Sequence, residues 1–220
     1  MISIWDFLPY MVGGVEWTMG LVGGGLAIGF ALGLPIAIIQ TFGNETMKAV
    51  THLYVWFFRS IPLLVLLFLF YWGLLPALGF QPDPFRSAIV VLGLRSAGFQ
   101  SQIFRGAMLS VGEGQMVAAR AVGMSGAKAV RYVLLPQAIR IALPGWSNEY
   151  AAIIKDSAIC FALGVVEILA RARYVTIATS SPLIPYFVAG GLFLILTYGG
   201  TTVLHILYNR IKTPGLIGRA

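Results

Sequence analysis

Residues 112–140 read GEGQMVAARAVGMSGAKAVRYVLLPQAIR, a polar and basic stretch set between long apolar runs. From Arg105 to Arg140 the chain has five Lys or Arg residues and one acid, Glu113. Short connections rich in Lys and Arg stay on the cytoplasmic side of a membrane. The charge bias therefore predicts that this stretch, called here the basic connection, lies in the cytoplasm between two membrane spans.

Within the basic connection the sequence predicts two short helices. Ala118 and Ala119 favour a helix, and their small side chains let another surface approach closely. Gly123 suits the end of that helix, where the backbone φ angle turns positive. Ser125 can cap a second helix. Pro136 lacks an N–H donor and predicts the next bend. A plain basic loop that only fixes the orientation of the chain is the alternative.

The composition is that of an integral membrane protein. The chain is 58% hydrophobic and 10% charged, with a mean hydropathy of +0.85, whereas soluble domains contain about 25% charged residues. We expect one helical unit over residues 1–220, with its core at about 15–210. The net charge of +7 follows from basic residues in loops and predicts no nucleic-acid partner. The single Cys160 excludes an internal disulfide and a cysteine metal site, and we expect no metal.

The apolar runs predict an all-α membrane protein with about five transmembrane helices plus short cytoplasmic coupling helices. The predicted spans are residues 15–40, 54–78, 85–109, 143–168 and 186–208. Five spans place the N-terminus outside and the C-terminus inside. The first span has glycines one turn apart, which permit close helix packing or reflect general glycine enrichment in membranes: Gly20, Gly24, Gly25, Gly29 and Gly33.

Polar side chains inside the spans are the candidates for a substrate path, because charges at membrane depth are by default functional or paired. They are Arg95, Gln100, Gln102, Glu149, Lys155 and Asp156. A buried pair of Arg95 with Asp156 or Glu149 is the expected structural alternative. Arg59, followed by Pro62, is expected to be an interface arginine or part of an ion pair in the bundle.

The basic connection resembles the EAA loop of ABC importer permeases. In that family Glu-Ala-Ala precedes a Gly and then Ile-x-Leu-Pro, and the matching residues here are Ala118, Ala119, Gly123, Val133, Leu135 and Pro136. Further short motifs resemble the polar amino-acid branch of the family: Phe58-Arg59, Pro62, Arg105-Gly106, Gly114-Gln115, Gln137-Ala138, Leu143-Pro144, Asn148, Lys155-Asp156 and Glu167-Ile168. The resemblance as a whole covers about residues 18–210.

Three positions depart from the family pattern. Val117 replaces the motif Glu, Gln102 replaces the usual acid before Ile-x-Arg-Gly, and Ser157-Ala158 replaces Thr-Ser. Since Gln102 removes an acid and Arg95 adds a base, we expect a preference for acidic or neutral polar amino acids.

The resemblance implies a permease subunit in the cytoplasmic membrane that forms the path of an ATP-driven polar amino-acid importer. Its implied partners are a second, identical or related permease, two ATPase subunits, an extracytoplasmic amino-acid-binding protein and membrane lipid. The chain has no Gly-x4-Gly-Lys-Ser/Thr loop, so ATP and Mg would be bound by the partner ATPase, and the chain itself would not be an enzyme. The expected ATPase contacts are Ala118, Ala119, Arg120, Gly123 and Met124.

Two other function classes are alternatives to a permease. Gly123-Met124-Ser125-Gly126 is similar to the Gly-x-Ser-Gly of rhomboid proteases, with His205 as the only later histidine. A serine nucleophile needs a base within hydrogen-bond reach, and Ser125 lies among basic residues outside the apolar spans. The other alternative is a passive channel or a structural membrane subunit.

Overall fold

The computed structural model describes residues 4–211, and within this range every regular element is helical. In the first half, a 3₁₀ turn at Ile4–Phe7 precedes α1 (Leu8–Val12), α2 (Gly14–Phe42), α3 (Glu45–Ser60), α4 (Leu63–Phe68), a π-helical turn (Leu69–Leu74), α5 (Leu75–Ala77) and α6 (Pro84–Ser110). In the second half, α7 (Glu113–Ala121) and α8 (Gly126–Ala129) precede a π-helical turn (Val130–Leu134), α9 (Leu135–Ser157), a 3₁₀ segment (Ala158–Leu163), α10 (Ile168–Thr179) and α11 (Leu183–Ile211).

The glycine-rich face of α2 forms the close packing that its spacing predicted. A Cβ added at Gly24 would lie 2.8 Å from Ile89 of α6, and one at Gly25 would lie 2.8 Å from Ile153 of α9. In contrast, a Cβ at Gly23 would meet nothing within 4 Å. Because the side chains of neighbouring helices occupy the space that a Cβ would need, these glycines set how closely α6 and α9 approach α2.

The second predicted span, residues 54–78, is wrong as one continuous helix. Residues Glu45–Ser60 and Leu63–Ala77 are bent by 107° where Ile61 and Pro62 interrupt the helix. Ile61 is extended, with φ −85° and ψ 133°, since a proline disfavours the α conformation of the residue before it. The bend brings the end of α3 against the middle of α6.

The fourth predicted span, residues 143–168, has different ends in the structure. Helix α9 begins earlier, at Leu135, and continues through Pro144. The helical run stops at Gly164, whose φ of 96° is left-handed. Glu167 is fully buried and caps α10 by accepting hydrogen bonds from the backbone N–H groups of Leu169 and Ala170.

The other three predicted spans correspond to single long helices. Two helical stretches of the described chain are long and apolar enough to cross a membrane, Leu8–Phe42 and Leu183–Ile211, and the bent pair adds a third if it counts as one span. Helices α6 and α9 are continuous over 27 and 23 residues, but charged residues interrupt the apolar character of their sequences. The membrane-protein class is confirmed, while the count of five spans and the orientation remain predictions.

Candidate functional site

The basic connection contains the first short helix that the sequence predicts, but the second is not short: from Gly126 the backbone stays helical through the π-helical turn into α9. The bend predicted at Pro136 is therefore wrong, because this proline lies in the first turn of α9.

Helix α7 ends at Ala121 and is closed by Gly123, whose φ is 85°. The N–H of Met124 donates to the Ala119 carbonyl at 3.1 Å, and the N–H of Gly123 donates to the Arg120 carbonyl at 2.9 Å. This paired closure is the Schellman motif, in which a left-handed residue satisfies the last helix carbonyls. Ser125 then caps α8, since its hydroxyl accepts from the N–H of Lys128 at 3.5 Å.

The expected ATPase contacts differ in accessibility. Ala118, Arg120 and Gly123 are exposed, Met124 is half-buried, and Ala119 is buried. Val117 and Val122 are 66% and 75% exposed, although the sequence analysis placed neither among the contacts.

The structure pairs Arg95 of α6 with Asp156 of α9 in an ion pair, and both side chains are about a quarter exposed. The predicted pair of Arg95 with Asp156 is therefore present, although it is half-buried rather than buried. Lys155, the neighbouring residue, is exposed on α9 and does not join this pair. The Arg95 guanidinium also lies 4.9 Å from the centroid of the Phe99 ring.

Gln100 and Glu149 belong to one buried hydrogen-bond network between α2, α6 and α9. The Ser96 hydroxyl donates to the Glu149 carboxylate at 2.6 Å, and Gln100 Nε2 donates to the Ser96 hydroxyl at 3.0 Å and to the Leu26 carbonyl at 3.2 Å. Trp146 Nε1 donates to Gln100 Oε1 at 2.8 Å. Because each buried polar group finds a partner here, the network fixes the three helices relative to each other.

Gln102 forms a separate contact in the C-terminal half of α6. Its Nε2 donates to Gln40 Oε1 of α2 at 2.8 Å, while its own Oε1 accepts from Arg105 Nε at 3.3 Å. The Gln40 side chain is 5% exposed, and its Nε2 has no partner among the described residues. An amide buried in this way is available to a polar molecule or water.

A polar cleft of about 420 Å³ opens between the end of α3, α6 and α9. This size is within the roughly 300–1,000 Å³ of small-molecule sites. Its lining residues, which define "the cleft" below, are Arg59, Phe99, Gln102, Ile103, Gly145, Asn148 and Glu149. Of the six predicted path residues, Gln102 and Glu149 line the cleft. Arg95 does not line it but lies against the ring of Phe99, which does.

Arg59 is the candidate residue whose surroundings in the structure differ most from those that the sequence predicted. Its guanidinium lies 4.9 Å from the Phe99 ring centroid, and its stem contacts Gly98, near the middle of the 27-residue helix α6. Arg59 is exposed in the last turn of α3, and no ion pair forms for it among residues 6–211. The expected place at the membrane interface stays a prediction. The bend after α3, which a helix-by-helix interpretation missed, creates this position.

A helical membrane bundle with a basic two-helix connection and a polar cleft between its spans has the architecture of a transport subunit. The chain belongs to the family of binding-protein-dependent transport system inner membrane components, whose family model matches residues 25–213. The predicted role as a transport subunit rather than an enzyme, and the location in the inner membrane, are thereby confirmed.

Similar proteins agree with this assignment. The chain is 36% identical over 202 residues to the nopaline transport system permease protein NocM of Agrobacterium fabrum, covering 88% of this chain and 84% of NocM. It is 33% identical over 200 residues to the arginine transport system permease protein ArtQ of Bacillus subtilis, covering 89% and 91%. A crystal structure of an amino acid ABC transporter with histidines superposes with a TM-score of 0.84 at 29% identity, covering 96% and 100%. The recognised resemblance to ABC importer permeases is confirmed, and the comparisons give no support to the protease alternative.

Proposed function

We propose that this chain is the permease subunit of an ATP-driven importer of polar amino acids. It would pair with a second permease around a central path, above two ATPase subunits that bind ATP and Mg, and receive substrate from an extracytoplasmic binding protein. The names of the relatives support the substrate class, since nopaline and arginine are both polar amino-acid compounds.

The observation that favours this function most directly is the cleft. It presents a guanidinium from Arg59, a carboxylate from Glu149 and the side-chain amides of Gln102 and Asn148. A guanidinium suits a carboxylate, and an acid suits an ammonium group, so the cleft can accept both charges of an α-amino acid. Glu149 is buried, Gln102 is half-buried, and Arg59 and Asn148 are exposed, so the interaction with the Glu149 carboxylate is the one that burial strengthens most relative to water.

A preference for acidic or neutral polar amino acids follows from the charge balance. Arg59 and Arg95 both lie against the Phe99 ring, and Asp156 is paired with Arg95. A side-chain carboxylate or amide of the substrate is therefore better accommodated near Arg59 than a second guanidinium, since like charges repel in a low dielectric.

On the cytoplasmic side, the exposed surface at Ala118, Arg120 and Gly123, with Met124 and Ala119 beneath it, would receive the push of the ATPase.

Reconstitution tests the proposal. The chain is placed in liposomes with the ATPase and the binding protein encoded beside it, and each amino acid is assayed for stimulation of ATP hydrolysis and for uptake. We expect glutamate or glutamine to stimulate more than arginine. Strongest stimulation by a cationic amino acid would overturn the preference alone. No stimulation by any amino acid from a fully assembled complex would overturn the importer function.

A further inference from the structure

A second cavity lies where the basic connection meets the C-terminal end of α2. It measures about 720 Å³ and is called here the groove. Its apolar wall is formed by Ile38, Phe42, Met116, Val130 and Leu135. Substrate recognition does not use this space, and of the five proposed ATPase contacts only Arg120 lines it.

The charged residues of the groove are both arginines. Arg120 comes from α7 and Arg131 from the π-helical turn after α8, and no carboxylate lines the groove among the described residues. Glu113, the acid of the basic connection, lines a neighbouring cavity instead. Two arginines beside an apolar wall are complementary to a molecule with an anionic head and a hydrocarbon tail.

The groove also lies beside the end of an apolar helical stretch. Phe42 is the last residue of the apolar stretch Leu8–Phe42 and is 47% exposed. Tyr132, adjacent to Arg131 with its ring centroid 5.6 Å from that guanidinium, is 64% exposed. Exposed aromatic rings are typical of the membrane–water interface, and basic pockets on the cytoplasmic side of helix bundles bind anionic headgroups.

We propose that the groove binds an anionic phospholipid. The phosphodiester lies between Arg120 and Arg131, and an acyl chain follows Ile38 and Phe42 toward the bilayer core. The lipid would brace the basic connection against α2, so that α7 and α8 keep a fixed position on the inner surface. This inference does not depend on the substrate class or on the importer function.

Competition between two lipids tests the groove. The full chain is purified in detergent and offered equal amounts of phosphatidylglycerol and phosphatidylcholine with identical acyl chains, and bound lipid is counted by native mass spectrometry. We expect the chain to retain phosphatidylglycerol preferentially. Arg131→Gln should lower the phosphatidylglycerol-to-phosphatidylcholine ratio about fivefold, the effect of roughly one basic residue at a membrane surface. Arg131→Lys should keep most of the preference.

Lys128→Gln is the matched control, because Lys128 is exposed on the same connection but does not line the groove. It should leave the ratio unchanged. An equal loss in Lys128→Gln and Arg131→Gln would overturn the proposal in favour of diffuse surface charge, and equal retention of both lipids by the unmodified chain would overturn it outright. A groove covered by a second copy of the chain would instead give lipid-free dimers that Arg131→Gln dissociates, which also overturns the proposal.

Discussion

At the scale of single residues, Gly123 shows how one backbone angle sets the shape of the basic connection. Its φ of 85° allows the Schellman closure, while a Cβ at this position would meet nothing within 4 Å. The requirement for glycine is thus conformational rather than steric. A side chain in the left-handed region costs roughly 1–2 kcal/mol, which is enough to shift the end of α7.

Gly123→Val should uncouple ATP hydrolysis from uptake, because a displaced α7 end no longer transmits the motion of the ATPase. The measurement is the ratio of amino acid transported to ATP hydrolysed in proteoliposomes. Gly126→Ala is the control: Gly126 begins α8 with ordinary backbone angles and open space around it, so its ratio should stay normal. A normal ratio in Gly123→Val would argue against a contact at this turn.

The ion pair of Arg95 and Asp156 predicts a distinct pattern of stability. Breaking a fully buried pair on one side leaves an uncompensated charge and costs about 3–5 kcal/mol, whereas replacing both partners by apolar residues is often neutral. Because both side chains of this pair are about a quarter exposed, solvent screening makes the cost smaller. We therefore expect Asp156→Leu to lower the melting temperature in detergent, and the double change Arg95→Met with Asp156→Leu to restore most of it.

The same variants separate structure from substrate binding. If Arg95 only supports the bundle, the double variant should transport normally once it is stable. If Arg95 contacts substrate, uptake should stay low despite the recovered melting temperature. In that case Arg95→Ala should also lower the uptake of glutamate. Equal melting temperatures for the single and double variants would contradict the supporting role of the pair.

Arg59 is the residue at which we expect the largest effect on substrate affinity. Losing one charged hydrogen bond costs about 1.5–3 kcal/mol, so Arg59→Gln should raise the KM for uptake tenfold or more while expression stays normal. Lys155→Gln, which removes an exposed charge outside the cleft, serves as the comparison and should leave KM unchanged. An unaltered KM in Arg59→Gln would remove this residue from the substrate path.

At the scale of helices, the packing of α2 makes a prediction with a control inside the same helix. Gly25 lies in contact with both Ile153 and Leu92, at 2.8 and 3.1 Å from a built Cβ, whereas Gly23 is exposed. Overpacking costs about 1–3 kcal/mol or more. Gly25→Leu should therefore lower the melting temperature measured by intrinsic fluorescence, and Gly23→Leu should not. Similar melting temperatures for the two would contradict the glycine packing face.

Helix bounds were predictable where the sequence is apolar or capped. Predicted residues 85–109 correspond to α6 at Pro84–Ser110, which Asp83 caps by accepting from the Arg86 N–H at 2.8 Å. The prediction failed at prolines, because their effect depends on tertiary contacts. Pro144 is accommodated inside α9, whereas Pro62 marks a 107° bend.

At the scale of the whole molecule, the cleft shows what a sequence cannot reveal. Its walls come from α3, α6 and α9, and Arg59 reaches Phe99 across 40 positions of sequence only because the chain bends after α3. Charge and polarity inside apolar runs identified Gln102 and Glu149 in advance. They did not reveal that Lys155 is exposed or that Gln100 is sequestered in a network, since both depend on the rotation of each helix about its axis.

Orientation in the membrane is the last prediction, and it decides whether the basic connection can meet an ATPase. With Cys160 replaced by Ala, single cysteines are introduced as Gln81→Cys in the turn before α6 and as Val122→Cys at the exposed end of α7. A membrane-impermeant maleimide should label Gln81→Cys in intact cells, and Val122→Cys only after permeabilisation, because the Lys- and Arg-rich connection stays inside. The Cys160→Ala parent, which removes the single native cysteine, controls for background labelling. If Val122→Cys were labelled in intact cells, the predicted topology would be inverted, and no cytoplasmic ATPase would be able to contact Gly123.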